Sequence, residues 1–305
     1  MSEINRPESG KPKARLITMV WGETYLADLL DICLPAMLAP GNLPALTEHF
    51  DCELVIVTEE SNFRRIAGSP VFKEIQKHCR AWPIMADDLV VSRRMYGHSL
   101  TFALHRGFED LGEKVTETFL LFFNADFILA DGCYEVLARH MLAGERLVFS
   151  PSYCAVDEEV GPLLKSKVDE QSKVLAVPKR EMAALALKYP QNTVQAKTLN
   201  RPLFRINVND QFYWRIGDHT LLGHQLPIAI VCMKPEGECT EPAGFWDYST
   251  ISTMGPNLPR CVLGDSDEFL MLELRGRDTH MELLEIGRPN PAETAAVLGD
   301  YMTEI

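Results

Sequence analysis

Short runs of bulky apolar residues alternate along the chain with stretches whose apolar positions recur every three or four residues. Arg15-Leu16-Ile17-Thr18-Met19-Val20-Trp21 reads as a buried strand that Gly22 ends. Tyr25 to Leu38 follows with helical spacing, and Pro40, Gly41 and Pro44 break it. Cys52-Glu53-Leu54-Val55-Ile56-Val57 is a second strand, Val71 to Cys79 a helix and Ala81 to Met85 a less apolar strand. Ser92 to Phe108 predicts a longer helix carrying Arg93, Arg94, His98 and His105, and Phe119-Leu120-Leu121-Phe122-Phe123 is the third clear strand.

The second half is less regular. Gly132 to Leu142 predicts a helix and Arg146 to Ser150 a strand. Lys165 to Tyr189 is polar with a helical pattern, and Pro227 to Met233 is a β-like run. Gly237 to Pro259 is rich in Gly, Pro, Ser and Thr and predicts a loop with an aromatic insert; Asp267 to Arg275 predicts an amphipathic helix. Strands alternating with helices imply an α/β fold with a mostly parallel sheet. Ligands of such sheets bind outside the carboxyl ends of the strands, which points to Trp21–Thr24, Thr58–Ser61 and Asn124–Asp131.

With 305 residues and a formal charge of −13, the chain has room for a sizeable core but repels phosphate backbones, which excludes general nucleic-acid binding. Its eight cysteines form no C-x-x-C pair, so reduced thiols are expected rather than a zinc site or a disulfide framework. Residues 1–13 are polar, with no apolar secretory core, and read as a disordered leader. With no run long enough for a membrane span, a cytoplasmic location follows, with peripheral membrane contact left open.

The chemistry concentrates after the third strand, in Asn124-Ala125-Asp126. If the strand's alternation continues, both polar side chains project to one side and present oxygens to a hard cation such as Mg²⁺ or Mn²⁺. The same residues also fit a simple turn. The segment resembles the D-x-D region of glycosyltransferases with the GT-A fold, and Asp131-Gly132 resembles the turn that follows it. The resemblance implies a GT-A-like sheet, with a nucleotide-sugar-binding part over 14–150 and an acceptor part of the same domain over 151–305. Asp126 would be the metal-binding carboxylate, with Asn124 where the family's first aspartate stands. The neutral Asn124 departs from the pattern and puts the strength of metal binding in doubt.

The resemblance also assigns neighbours. Trp21 and Gly22 would lie beside the donor base and ribose, and Glu59 would meet a hydroxyl. Read from their place in the helix before the motif, Arg93 and Arg94 could offset diphosphate charge or lie on a solvated helix face, and His98 could line the same cleft. Trp246, Asp247 and Tyr248 form an aromatic cluster suited to an acceptor sugar, or else a plug under a loop. Asp265, Asp267 and Glu268 resemble the acidic group that supplies a general base, and they equally fit a helix N-terminus. His224 is a candidate third metal ligand. The implied partners are a nucleotide-diphosphate sugar and a glycan, lipid-linked or small-molecule hydroxyl acceptor. A non-catalytic binding domain and a nucleotidyltransferase are the alternatives; the latter needs a Gly-rich basic loop after the first strand, which Trp21-Gly22-Glu23-Thr24 is not.

Overall fold

The computed structural model describes residues 10–90, 96–200, 204–206, 211–225, 229–239, 242, 244, 246–287, 292 and 295–296. Strand β1 (Lys13–Val20) sends Leu16 and Val20 into one apolar layer and Ile17 and Met19 into another. Because both faces are covered, the strand is apolar almost throughout. Trp21 and Gly22 turn the chain into α1 (Glu23–Asp28), which passes through one π-helical turn, Leu29–Cys33, into α2 (Leu34–Met37). The helix expected from Tyr25 to Leu38 is therefore present, with one widened turn.

Helix α3 (Leu43–His49) leads to β2 (Asp51–Thr58), then α4 (Glu60–Gly68), α5 (Pro70–His78) and β3 (Arg80–Met85). Helices α6 (Asp87–Val90) and α7 (Tyr96–Arg106) and a 3-10 stretch, Glu109–Glu117, precede β4 (Thr118–Phe122). A turn leads to β5 (Phe127–Leu129), α8 (Cys133–Leu142), β6 (Leu147–Ser150) and β7 (Ser152–Val156). Then come α9 (Asp157–Lys165), α10 (Lys179–Lys188), α11 (Asn192–Ala196), β8 (Phe204–Ile206), β9 (Gln211–Ile216) and β10 (Thr220–Gln225). The chain continues with β11 (Ala229–Met233), α12 (Trp246–Met254), β12 (Cys261–Val262), β13 (Met271–Arg275) and β14 (Leu284–Ile286).

Among the described residues, seven strands form the central sheet in the order β12-β6-β11-β4-β1-β2-β3. β11 runs antiparallel to β4 and β6, and the other pairs are parallel. This is the expected α/β class with a mostly parallel sheet flanked by helices. From β1 the chain steps outward through β2 and β3, whereas β4 lies on the opposite side of β1. The order therefore reverses between β1 and β4, a switch point of the kind outside whose carboxyl ends ligands of such sheets bind. A smaller sheet, β5-β13-β7, packs beside it, with β13 antiparallel to β5 and parallel to β7.

Three expectations change. Met271–Arg275 is a strand rather than part of a helix; Leu272 and Leu274 bury into the core while Glu273 and Arg275 alternate with them. The stretch expected to be loop holds a helix, α12, because Trp246 anchors it in the core. Helix in Lys165–Tyr189 is confined to α10 and the end of α9. All eight cysteines are free thiols. Among the described residues no helix is long and apolar enough to cross a membrane.

Candidate functional site

The switch point between β1 and β4 is built from three directions. Thr58 donates its hydroxyl to the Val20 carbonyl at 2.7 Å and ties the ends of β1 and β2 together. Gly22 follows with φ 79° and ψ 155°, a backbone region open essentially to glycine alone. That sharp exit starts α1 at once, and its Tyr25 and Asp28 come within electrostatic reach of Asp126. Trp21 is half-buried against the core.

From β4 the chain enters a turn in which the Phe127 amide donates to the Asn124 carbonyl at 3.1 Å. Asn124-Ala125-Asp126 is therefore a turn and not a continued strand. The alternation that was to aim Asn124 and Asp126 to one side does not apply here. What holds Asp126 instead is β13: the Leu274 amide donates to the Asp126 carbonyl at 3.1 Å.

β13 brings the partners that the sequence left unrecognised. Glu273 is buried, and its carboxylate receives Arg275 Nε at 2.6 Å, the Ser152 hydroxyl at 3.3 Å and the Cys154 thiol at 3.1 Å. Burial pushes the Asp126 carboxyl up to about 7, the Glu273 charge adds to the rise, and Arg275 opposes it. Burial and then Asp157 push Asp28 up to about 6, against Lys165, whose Nζ lies 3.7 Å from Asp28 Oδ1. Burial and the Asp126 charge also raise the Tyr25 phenol. The charges of Glu273 and, more weakly, Asp28 thus both act on Asp126, while Arg275 answers Glu273 and Lys165 answers Asp28. The signal for Glu273 and Arg275 was present: two charges at alternate positions within a short apolar run have the strand period.

Other expected site residues fall elsewhere. Glu59 precedes α4 and accepts the Ser61 hydroxyl at 3.1 Å, without capping the helix. Arg93 and Arg94 lie outside the described residues, as do the side chains of His98, Asp247 and Tyr248. Trp246 is buried against Phe122, with ring centres 4.6 Å apart. Its faces are therefore core, which removes it as an acceptor platform. Asp265, Asp267 and Glu268 sit in an exposed loop before β13 rather than at a helix start. Asp267 is held by Arg180 at 2.9 Å, which pulls its carboxyl below the usual range, and Glu268 lies 3.4 Å from His140 Nε2. Asp265 accepts the Asp267 amide at 2.8 Å. Asp265, Asp267 and His224 share the lining of a cavity of about 860 Å³ that Asp126 does not line.

Among the described residues, no three His, Cys, Asp or Glu side chains converge as a metal set. Glu273 spends both carboxylate oxygens on protein donors, and His224 belongs to the separate cavity. A cation at the switch point would take Asp126 and a second oxygen such as Asn124, and its remaining positions from phosphates and water. Burial is the larger cause of the Asp126 rise and the Glu273 charge the smaller, and a positive charge there would relieve the second.

No protein-family model and no curated protein matches the chain. Among solved structures, the apo form of mouse xyloside xylosyltransferase 1 is similar at 13% identity and a TM-score of 0.32, covering 47% of this chain and 53% of that one. A 4-diphosphocytidyl-2C-methyl-D-erythritol synthase from Anaerococcus prevotii DSM 20548 is similar at 11% identity and a TM-score of 0.29, covering 55% of this chain and 64% of that one. The matched part thus spans about half to under two thirds of either structure. Likenesses this slight carry nothing about ligand or chemistry.

Proposed function

We propose that the chain is a glycosyltransferase that takes a nucleotide-diphosphate sugar at the switch point between β1 and β4 and moves the sugar to a hydroxyl acceptor. The observation that supports this most is the position of Asp126, at the point where the strand order reverses and where α1, β4 and β13 meet. Half-buried Trp21 offers a ring to the base, and the glycine exit at Gly22 brings backbone close to the ribose. Asp126 and Asn124 would hold Mn²⁺ or Mg²⁺, which when bound offsets charge on the leaving diphosphate. Arg275, fixed by Glu273, keeps one positive charge beside Asp126. For the acceptor, Asp265 is the loop carboxylate whose described partner is a single amide, which leaves an oxygen for a hydroxyl proton.

The connection from β1 to α1 is only Trp21 and Gly22, and the helix opens on Glu23. That disfavours a nucleotidyltransferase, which would need a longer basic loop there. The turn at Asn124 and its neutral side chain favour one second reading, a domain that binds the donor without turnover.

The test is thermal unfolding with a panel of nucleoside diphosphates, with and without Mn²⁺, for the native chain and Asp126→Ala, followed by assay of sugar-nucleotide cleavage. A metal-dependent stabilisation of about 2.7 kcal/mol at one hundred times the dissociation constant, lost in Asp126→Ala, supports the donor site. Stabilisation without cleavage favours the binding domain. No stabilisation by any nucleotide removes Asp126 from a donor site.

A further inference from the structure

The cavity of about 860 Å³ lies outside the carboxyl ends of β6 and β12, further along the edge that holds Asp126. Helix α10 forms one wall, the β9–β10 hairpin another, and the loop before β13 a third. Its size suits a small molecule larger than a single sugar.

The lining has two characters. Leu187, Leu221, Val262 and Phe269 give it an apolar side, extended by the ring of Tyr213, which meets Tyr153 edge-on at 5.8 Å. Asp265, His219, His224 and Ser152 give it a hydrogen-bonding side. Arg180, the cation on the rim, is bidentate to Asp267 through Nε at 3.2 Å and a terminal nitrogen at 2.9 Å, so its charge is answered within the protein. An anionic occupant would meet Asp265 without a free counter-charge among these residues. A purely apolar one would strand the hydroxyl, imidazole and carboxylate groups.

Ser152 links the two regions. It lines the cavity and donates to Glu273, the carboxylate whose charge is felt at Asp126. A hydroxyl held on the Ser152 side of the cavity is therefore linked to Asp126 through two side chains, Ser152 and Glu273.

We propose that this cavity binds a neutral amphipathic molecule, a hydroxylated head joined to an apolar tail, as in an alkyl or aryl glycoside. That this molecule is the sugar acceptor rests on the glycosyltransferase reading; that the cavity binds it does not.

Isothermal titration with octyl β-glucoside, β-galactoside and β-mannoside below their micelle concentrations, each against its methyl counterpart, tests this. At least one octyl glycoside should bind about tenfold or more tightly than its methyl form, because burying the tail adds apolar contact. Ala184→Trp, which places an indole on the α10 wall, should weaken that binding by about tenfold or more, while leaving any nucleotide-driven stabilisation intact. Hydrogen exchange on the native chain gives a readout independent of the variant: protection by the octyl glycoside should fall on 180–187, 211–224 and 262–270. No binding by any octyl glycoside, equal binding by methyl and octyl forms, or protection elsewhere overturns the proposal. Nucleotide binding at Asp126 with no glycoside binding removes the cavity alone. Glycoside binding with no nucleotide binding keeps the cavity and removes the transferase reading.

Discussion

Glu273 and Arg275 stand two residues apart on β13, and the guanidinium Nε donates to the Glu273 carboxylate at 2.6 Å. The pair shares one face of a strand whose other face is core. It sets a negative and a positive charge beside Asp126.

Glu273→Ala should therefore do two things. It leaves Arg275 without its ion-pair partner, costing about 2 kcal/mol; the buried-pair penalty is discounted because 34% of the Arg275 side chain is exposed. It also removes the charge that helps lift Asp126, so the Asp126 carboxyl should titrate lower. Urea unfolding and carboxyl-resolved NMR titration measure the two effects. An unchanged Asp126 titration would show that burial alone raises it.

Stability should fall as pH rises from about 4 to about 7. Asp126 and Asp28 are raised to about 7 and about 6 from an ordinary 3.8, so the folded chain keeps protons that the unfolded chain has released. That contribution is complete below the unfolded value and lost as pH passes the folded values. Asp126→Asn should flatten the slope and make the chain more stable than native at pH 8. Urea midpoints at pH 5 and pH 8 decide it; parallel curves for the two proteins would contradict the assignment.

Gly22→Ala should cost about 1–3 kcal/mol, because φ 79° with ψ 155° is strained for any residue with a Cβ. No atom lies within 4 Å of the added Cβ, so the loss would come from backbone strain rather than a clash. Since α1 carries Tyr25 and Asp28, nucleotide-driven stabilisation should weaken as well. A neutral effect on unfolding would mean that the turn relaxes to another conformation.

Asn42→Ala should be among the more damaging single changes, by about 2–4 kcal/mol. The buried amide donates to the Ala36 carbonyl at 2.8 Å and the Ala130 carbonyl at 3.1 Å. Its oxygen accepts from the Cys133 and Tyr134 amides at 3.0 and 3.1 Å, so a residue distant in sequence caps α8. Chemical denaturation measures the loss, and a cost under about 1 kcal/mol would imply that water replaces the network.

The sequence showed its central strands well because they are covered on both faces. β1, β2 and β4 are apolar over most of their length, and alternation with helices marked the parallel sheet and the strand ends at its edge. Asp126 was legible for the same reason, as the first acid after such a run. What surrounds Asp126 was not. Glu273 and Arg275 carry the strand period, but the role of Glu273 depends on pairing with segments far away in the chain, which the period does not show. Trp246 misled in the opposite sense: loop-like composition around it hid a helix that an aromatic anchor stabilises. The acidic loop at Asp265 looked like a helix start because Asx turns and helix caps use the same residue types.

Pairing of β13 with both β5 and β7 has a consequence for how the protein matures. Asp126 is synthesised early, but the strand that fixes its carbonyl and charges its surroundings emerges far later. Until then the central strands from β1 to β4 can pair with one another, while the switch point has one carboxylate and no Glu273–Arg275 pair. Closing so long a loop is slow more than it is unfavourable, since its entropy grows only with the logarithm of length. Competence for chemistry is thus tied to a late folding event, and a nascent chain could hold β1 to β4 together before it held a site.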